Sequence, residues 1–327
     1  MMASQPTDTT ITRRRLLAGA GATGLAMVAG CTSANQSDQT KLSGDIEISG
    51  SSTVFPLAMA VAEDFQKQHP AVNVSVSRTG TGGGFKNHFC PGRSDFNNAS
   101  RPIQPSEKEL CQENGVEYHE MKVATDALTV VVNNDADWVD CLTLDELKQI
   151  WKPNPAETWS DVNSSWPDAE IKRFGAAETS GTFDFFTQKV IGEEGAHTNQ
   201  YQPTEKDNLI LQGVQGSKYA IGYFGFSYYY NNPDQVKALG IDAGSGCVKP
   251  SIQTAKTGKY PLSRPLLTYA NKASLAERHV AEFARFYVKK AASEQLVAEQ
   301  VGYVPITEQK MQSQLEALNQ VIESVSG

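Results

Sequence analysis

The sequence predicts an α/β protein, and three observations carry that expectation. Short β-branched runs alternate along the chain with runs whose apolar residues recur at helical spacing. Clusters of Gly, Ser and Thr stand where strand or loop gives way to helix. From residue 31 onward the chain of 327 residues is long enough for two domains with proper cores.

Each element follows from its local pattern. Residues 46–49 form a short strand, and residues 54–68 place apolar side chains at helical spacing until His69 and Pro70 stop the helix. Residues 72–77 alternate as a half-buried strand, and a helix is expected over 85–89, after a run of glycines. Residues 127–133 are apolar and rich in β-branched side chains, the composition of a buried parallel strand. Thr143, with Glu146 three residues on, makes a capping box that opens a helix to Trp151. Further strands are expected over 171–175, 219–223 and 265–269, and further helices over 183–191, 275–292 and 307–325. Residues 244–261, rich in Pro, Gly and Ser, read as a surface loop. There is no internal repeat.

The small-residue clusters carry the chemistry. They are Gly50-Ser51-Ser52-Thr53, Gly80-Thr81-Gly82-Gly83-Gly84 and Thr179-Ser180-Gly181-Thr182. A helix start offers unpaired backbone N–H groups and about half a positive charge, which favours an anion. Small hydroxyl residues add donors without blocking the approach. Any one cluster is an ordinary helix cap. Three together point to a tetrahedral oxyanion held among three helix ends. The formal net charge of −8 argues against a nucleic-acid surface, so affinity for an anion has to come from local dipoles and donors.

The N-terminus reads as an address. Arg13, Arg14 and Arg15 ahead of an apolar stretch match a twin-arginine export signal, and Val28-Ala29-Gly30-Cys31 matches a lipobox. Cleavage before Cys31 leaves a lipid-bearing cysteine, and the apolar stretch falls short of the ~20 residues that span a bilayer. Residues 32–43, rich in polar side chains, read as a tether. Four further cysteines, Cys90, Cys111, Cys141 and Cys247, suggest two disulfides in an oxidising compartment. Three pairings are open; Cys90 with Cys111, closing a short loop, is favoured and leaves Cys141 with Cys247. No CxxC and no clustered His accompany them, so no metal is expected.

Other chemistries fit poorly. The run from Gly80 to Phe85 lacks the last glycine of a dinucleotide fingerprint and the acid that should follow it. The five histidines show no metal-ligand spacing and are expected at the surface. Ser180 lacks a Gly-x-Ser-x-Gly elbow, which weakens a secreted serine hydrolase. Tyr228, Tyr229 and Tyr230 are expected in an aromatic core or rim.

Six motifs in order, Gly50 to Pro56, Gly80 to Phe85, Asp95-Phe96 through Ala99-Ser100-Arg101-Pro102, Ser180-Gly181-Thr182, Ala220 to Tyr223 and Gly302 to Pro305, resemble the phosphate-binding lipoproteins of phosphate ABC importers. The similarity spans about residues 44 to 310. It implies a two-lobed periplasmic-binding-protein-like fold of type II, with two extended hinge crossovers and a dehydrated phosphate buried on closure. Residues 1–30 would be the signal, 31–43 the tether, 44–123 plus 264–327 lobe one and 124–263 lobe two, with hinges near 123–125 and 260–264. It implies a monomeric binding protein, not an enzyme, without cofactor. The protein would be lipid-anchored outside the cell membrane through Cys31, with inorganic phosphate and ABC permease subunits as partners.

Carried across, the resemblance assigns the Thr53 hydroxyl, the Val54 amide, Thr81, Ser180, Gly181 and Thr182 to the ligand. Two departures follow. The family's aspartate, which accepts the proton of phosphate, falls here at Ser100 or Arg101, and its arginine falls at Ala176. The expected substitutes are Arg101 for the guanidinium and Asp126 or Glu178 for the acceptor. A carboxylate is needed because a site made only of donors prefers a fully deprotonated anion. Sulfate, tungstate and molybdate are the alternative ligands.

Overall fold

The computed structural model describes residues 41–326. β1 (Ser43–Gly50) pairs in parallel with β2 (Ala71–Val76) on one side and β3 (Phe96–Ala99) on the other. Between β1 and β2 runs α1 (Phe55–Gln68), whose Pro56 presets the first turn and whose Leu57, Val61 and Phe65 are buried. α2 (Thr81–Gly84), continued by a wide turn of π type over Phe85–Phe89, joins β2 to β3. α3 (Pro105–Glu113) joins β3 to β4 (Tyr118–Ala127).

The chain then builds a second sheet. β5 (Thr129–Val132) follows β4 after one residue, and β6 (Cys141–Thr143) leads to α4 (Leu144–Trp151) and α5 (Trp159–Val162). β7 (Lys172–Ala176) feeds α6 (Gly181–Phe186), and β8 (Gln202–Thr204) feeds α7 (Asp207–Gln215). β9 (Ala220–Phe224), α8 (Phe226–Tyr230) and β10 (Lys237–Ala238) complete a sheet of order β10-β5-β9-β7-β8. β11 (Gly240–Asp242) and β12 (Cys247–Val248) pair with β6 in a small third sheet, followed by α9 (Ile252–Lys256).

β13 (Ser263–Asn271) returns to the first sheet and lies antiparallel between β3 and β4, giving the order β2-β1-β3-β13-β4. α10 (Arg278–Lys290) and α11 (Glu308–Val325) then pack beside α1 and the first sheet. Disulfides join Cys90 to Cys111 and Cys141 to Cys247.

Several local signals read as they stand in the structure. The Thr143 hydroxyl accepts from the Glu146 amide at 3.1 Å, and the Glu146 carboxylate accepts from the Thr143 amide at 2.8 Å. Thr307 caps α11 in the same way, accepting from the Lys310 amide at 3.2 Å.

Other expectations are corrected. β5 is antiparallel to both its neighbours, not parallel. Its apolar composition follows from burial on both faces, which either strand direction can bring about. Residues 85–89 and 187–191 are helical as expected, but wound as π-type turns that continue α2 and α6. The stretch 244–261 is not bare loop, because β12 and α9 lie within it. His197 is half-buried against Trp151, Phe183 and Tyr201, and burial lowers its pKa to about 4. The expectations for residues 1–40, including the signal and Cys31, lie outside the described residues.

Candidate anion-binding site

Three turns converge between the two large sheets. The first follows β1. Val54, not Thr53, takes the cap position of α1 and makes no side-chain capping bond. The buried Thr53 hydroxyl therefore points elsewhere, and its Oγ1 lies 2.8 Å from Oγ1 of Thr182. The second turn follows β2. Gly80 adopts φ 74°, which a side chain rarely tolerates, and a Cβ there would strike the Thr179 carbonyl. That close approach lets the Gly82 amide donate to the Thr179 oxygen at 3.1 Å, tying the glycine turn to the third turn.

Thr81 opens α2 without capping it, and its Oγ1 accepts from the Ser100 amide at 3.2 Å. Ser180 is a true cap, its Oγ accepting from the Thr182 amide at 3.2 Å. Gly181 presses against the Thr81 and Ser100 hydroxyls so closely that a Cβ would overlap both. Thr53, Thr81, Ser100, Ser180 and Thr182 are all buried.

The guanidinium among these hydroxyls is that of Arg264, which the sequence reading placed only at a hinge. Its Nη2 donates to Oγ1 of Thr53 and of Thr182, both at 3.0 Å, and its Nη1 donates to the Gly181 carbonyl at 3.3 Å. Its Nε donates to Oδ2 of Asp126 at 2.9 Å, while Oδ1 of Asp126 accepts from the Phe226 amide at 2.8 Å. Both side chains are fully buried. They meet because β4 and β13 pair with Arg264 opposite Asp126. The one available signal was a charged residue beside an apolar strand run, Ser263-Arg264-Pro265.

Two other expected residues lie apart from this cluster. The Arg101 guanidinium is committed to Glu107, at 2.7 and 2.8 Å, and to Asp184, at 2.6 Å. Burial opposes its charge, but Glu107 and Asp184 outweigh burial and hold its pKa above the ordinary value. The guanidinium beside Thr53 and Thr182 thus comes from β13, not from the segment after β3. Glu178 is exposed at the rim of a cleft of about 610 Å³ that Lys86, Arg101 and Asp184 also line.

A family model described as a PBP superfamily domain matches residues 33–291. Protein SphX of Synechocystis is 42% identical over 83% of this chain and 81% of its own. The phosphate-binding protein PstS of Staphylococcus saprophyticus is 37% identical over 94% of both. The chain belongs to the phosphate-binding proteins of the periplasmic-binding-protein superfamily. Among solved structures, a possible phosphate-binding protein from Planctomyces limnophilus shares 41% identity at a TM-score of 0.63, covering 86% of this chain and 99% of that one. A putative phosphate ABC transporter substrate-binding protein from Clostridium perfringens, with bound phosphate, shares 27% at 0.69, covering 81% and 100%.

The fold is that of a two-lobed periplasmic-binding protein, and the third turn, after β7, meets the first two, after β1 and β2. Further bonds cross at the same place. Ser52 donates to Asp207 at 3.2 Å, and Tyr228 donates to the Ser52 carbonyl at 3.3 Å. Carboxylates near the cleft resist ionisation. Burial pushes Asp207 and Asp184 up to about 6 and Glu205 up to about 7. The groups gathered here are hydroxyls, amides and one guanidinium whose charge Asp126 already balances. Among the described residues, no group of three or more His, Cys, Asp or Glu is placed to hold a metal ion.

Proposed function

We propose that this protein captures phosphate between its two lobes and delivers it to an ABC importer. It is a binding protein, not an enzyme. One observation supports this most: the Arg264 fork joins the first and third of three turns rich in hydroxyls and amides, the second turn meets the third at Thr179, and the chain is related throughout to phosphate-binding proteins. A desolvated oxyanion there replaces its water with fixed donors, and even micromolar affinity needs only roughly −8 kcal/mol net.

The ligand set is read as Thr53, Val54, Thr81, Ser100, Ser180, Gly181 and Thr182, with Arg264 in place of Arg101. Asp126 is assigned as the acceptor for the phosphate proton, because it holds the same guanidinium that reaches Thr53 and Thr182. Glu178, at the exposed rim, is set aside. The lobes are read as residues 44–123 plus 264–327 and residues 124–263. The β4–β13 pairing, which runs to Ala127 and Ser263, supports crossovers at its end. The chain is read as a twin-arginine lipoprotein, monomeric and held outside the membrane by lipid on Cys31. Among the described residues no helix is long and apolar enough to cross a membrane.

Equilibrium binding with competing oxyanions tests this reading. Phosphate should bind, and equimolar sulfate, tungstate or molybdate should leave it bound. Displacement by sulfate would make the site a general oxyanion receptor. Mass spectrometry of the mature N-terminus should find Cys31 lipid-modified.

A further inference from the structure

We propose that Arg101 and Asp184 form a latch that holds the lobes together from outside the anion site and sets how long phosphate is retained. This rests on reading the cleft as a closing phosphate site. Arg101 follows β3 of the first lobe, whereas Asp184 lies in α6 of the second, four residues after Ser180. Their Nε–Oδ2 bond is 2.6 Å long, and the two residues are only 7% and 9% exposed.

The latch is built in two parts. Within the first lobe, Glu107 of α3 grips the outer edge of the guanidinium, accepting from Nη1 at 2.8 Å and from Nη2 at 2.7 Å. Nη1 also donates to the Pro102 carbonyl at 3.0 Å. These bonds fix Arg101 with its Nε facing the other lobe. The arrangement is a preformed fork, so seating Asp184 costs little side-chain entropy. Along the same seam the Gln104 side-chain Nε2 donates to Glu194. If the lobes part, the Arg101–Glu107 pair stays with lobe one, and the Nε–Oδ2 bond breaks.

The coupling to the anion runs through α6. Its first residues, Gly181 and Thr182, lie in the anion site, and Asp184 follows on the same short helix. An anion that draws the start of α6 against Thr81 also brings Asp184 onto Arg101. By reciprocity, a seated Asp184 tightens the hold on the anion.

The test uses the full-length protein with Arg101→Gln, Asp184→Asn, the double variant and Asp184→Glu. Phosphate association and dissociation are measured by stopped flow, and the radius of gyration by small-angle scattering, with and without phosphate. Each single neutral variant should release phosphate about tenfold faster with little change in association. The double variant should be no worse than the worse single, and Asp184→Glu should restore most of the retention. Asp184→Asn should also be more expanded than wild type. Loss of binding in Arg101→Gln alone, with Asp184→Asn like wild type, would put Arg101 on the anion and overturn the latch. Unchanged dissociation and unchanged dimensions in both would overturn it too. If wild type bound no phosphate, expansion of the phosphate-free Asp184→Asn protein would uphold the latch while the phosphate reading fell, and equal dimensions would end both.

Discussion

Arg264 organises the site through the shape of its guanidinium. One edge holds Asp126, and a single nitrogen serves both Thr53 and Thr182. Lysine keeps the charge but cannot make these bonds together, so Arg264→Lys should weaken phosphate binding by about 1–3 kcal/mol. Calorimetry showing an unaltered Kd would remove Arg264 from the site. Glu205 makes a pH prediction. Its carboxyl is pushed up to about 7, first by burial and then by Asp207 and Asp184, against a bond from Thr179. The folded protein therefore binds this proton more tightly than the unfolded chain. Stability from Glu205 is present at low pH and is lost as pH rises from about 4.3 through about 7. Glu205→Gln should thus gain melting temperature over wild type as pH goes from about 5 to 8. A difference flat across that range would contradict the assignment.

At the scale of elements, the starts of α2 and α6 matter because they touch. Gly181 permits that approach, and its substitution should act on the contact and not on α6 itself. Gly181→Ala should weaken phosphate binding by about 1–3 kcal/mol through overlap with Thr81 and Ser100. Binding at the wild-type level would show that the turns do not close on each other. Much at this scale was legible beforehand. The Thr143–Glu146 capping box depends on residues within one turn of each other. The π-type turns after α2 and α6 were not, because residues 85–89 and 187–191 keep a helical apolar pattern while the ladder shifts by one residue. The direction of β5 escaped for a similar reason: its residues report burial, and burial is the same for either pairing.

For the whole molecule, the anion is expected to hold two lobes in one arrangement by bonding to both. Adding phosphate should therefore reduce the radius of gyration in solution scattering. An unchanged value would mean that the lobes are set without the ligand. On the proposed reading the crossovers would carry this motion, and Arg264 and Asp126 stand opposite each other near their ends. Opening and ligand contact would then be linked through the same two strands.

The sequence by itself determined what local chemistry can encode: an α/β chain, the helix caps, and three small-residue turns that keep donors accessible. It also carried the ordered motifs of the family. Only the tertiary structure decided which guanidinium sits among the hydroxyls. Arg264 meets Asp126 across 138 residues through the β4–β13 register, and Arg101 is drawn away by Glu107 and Asp184. Composition cannot report such pairings, because a charge finds its partner through strand register and lobe contact, and neither leaves a periodic trace along the chain.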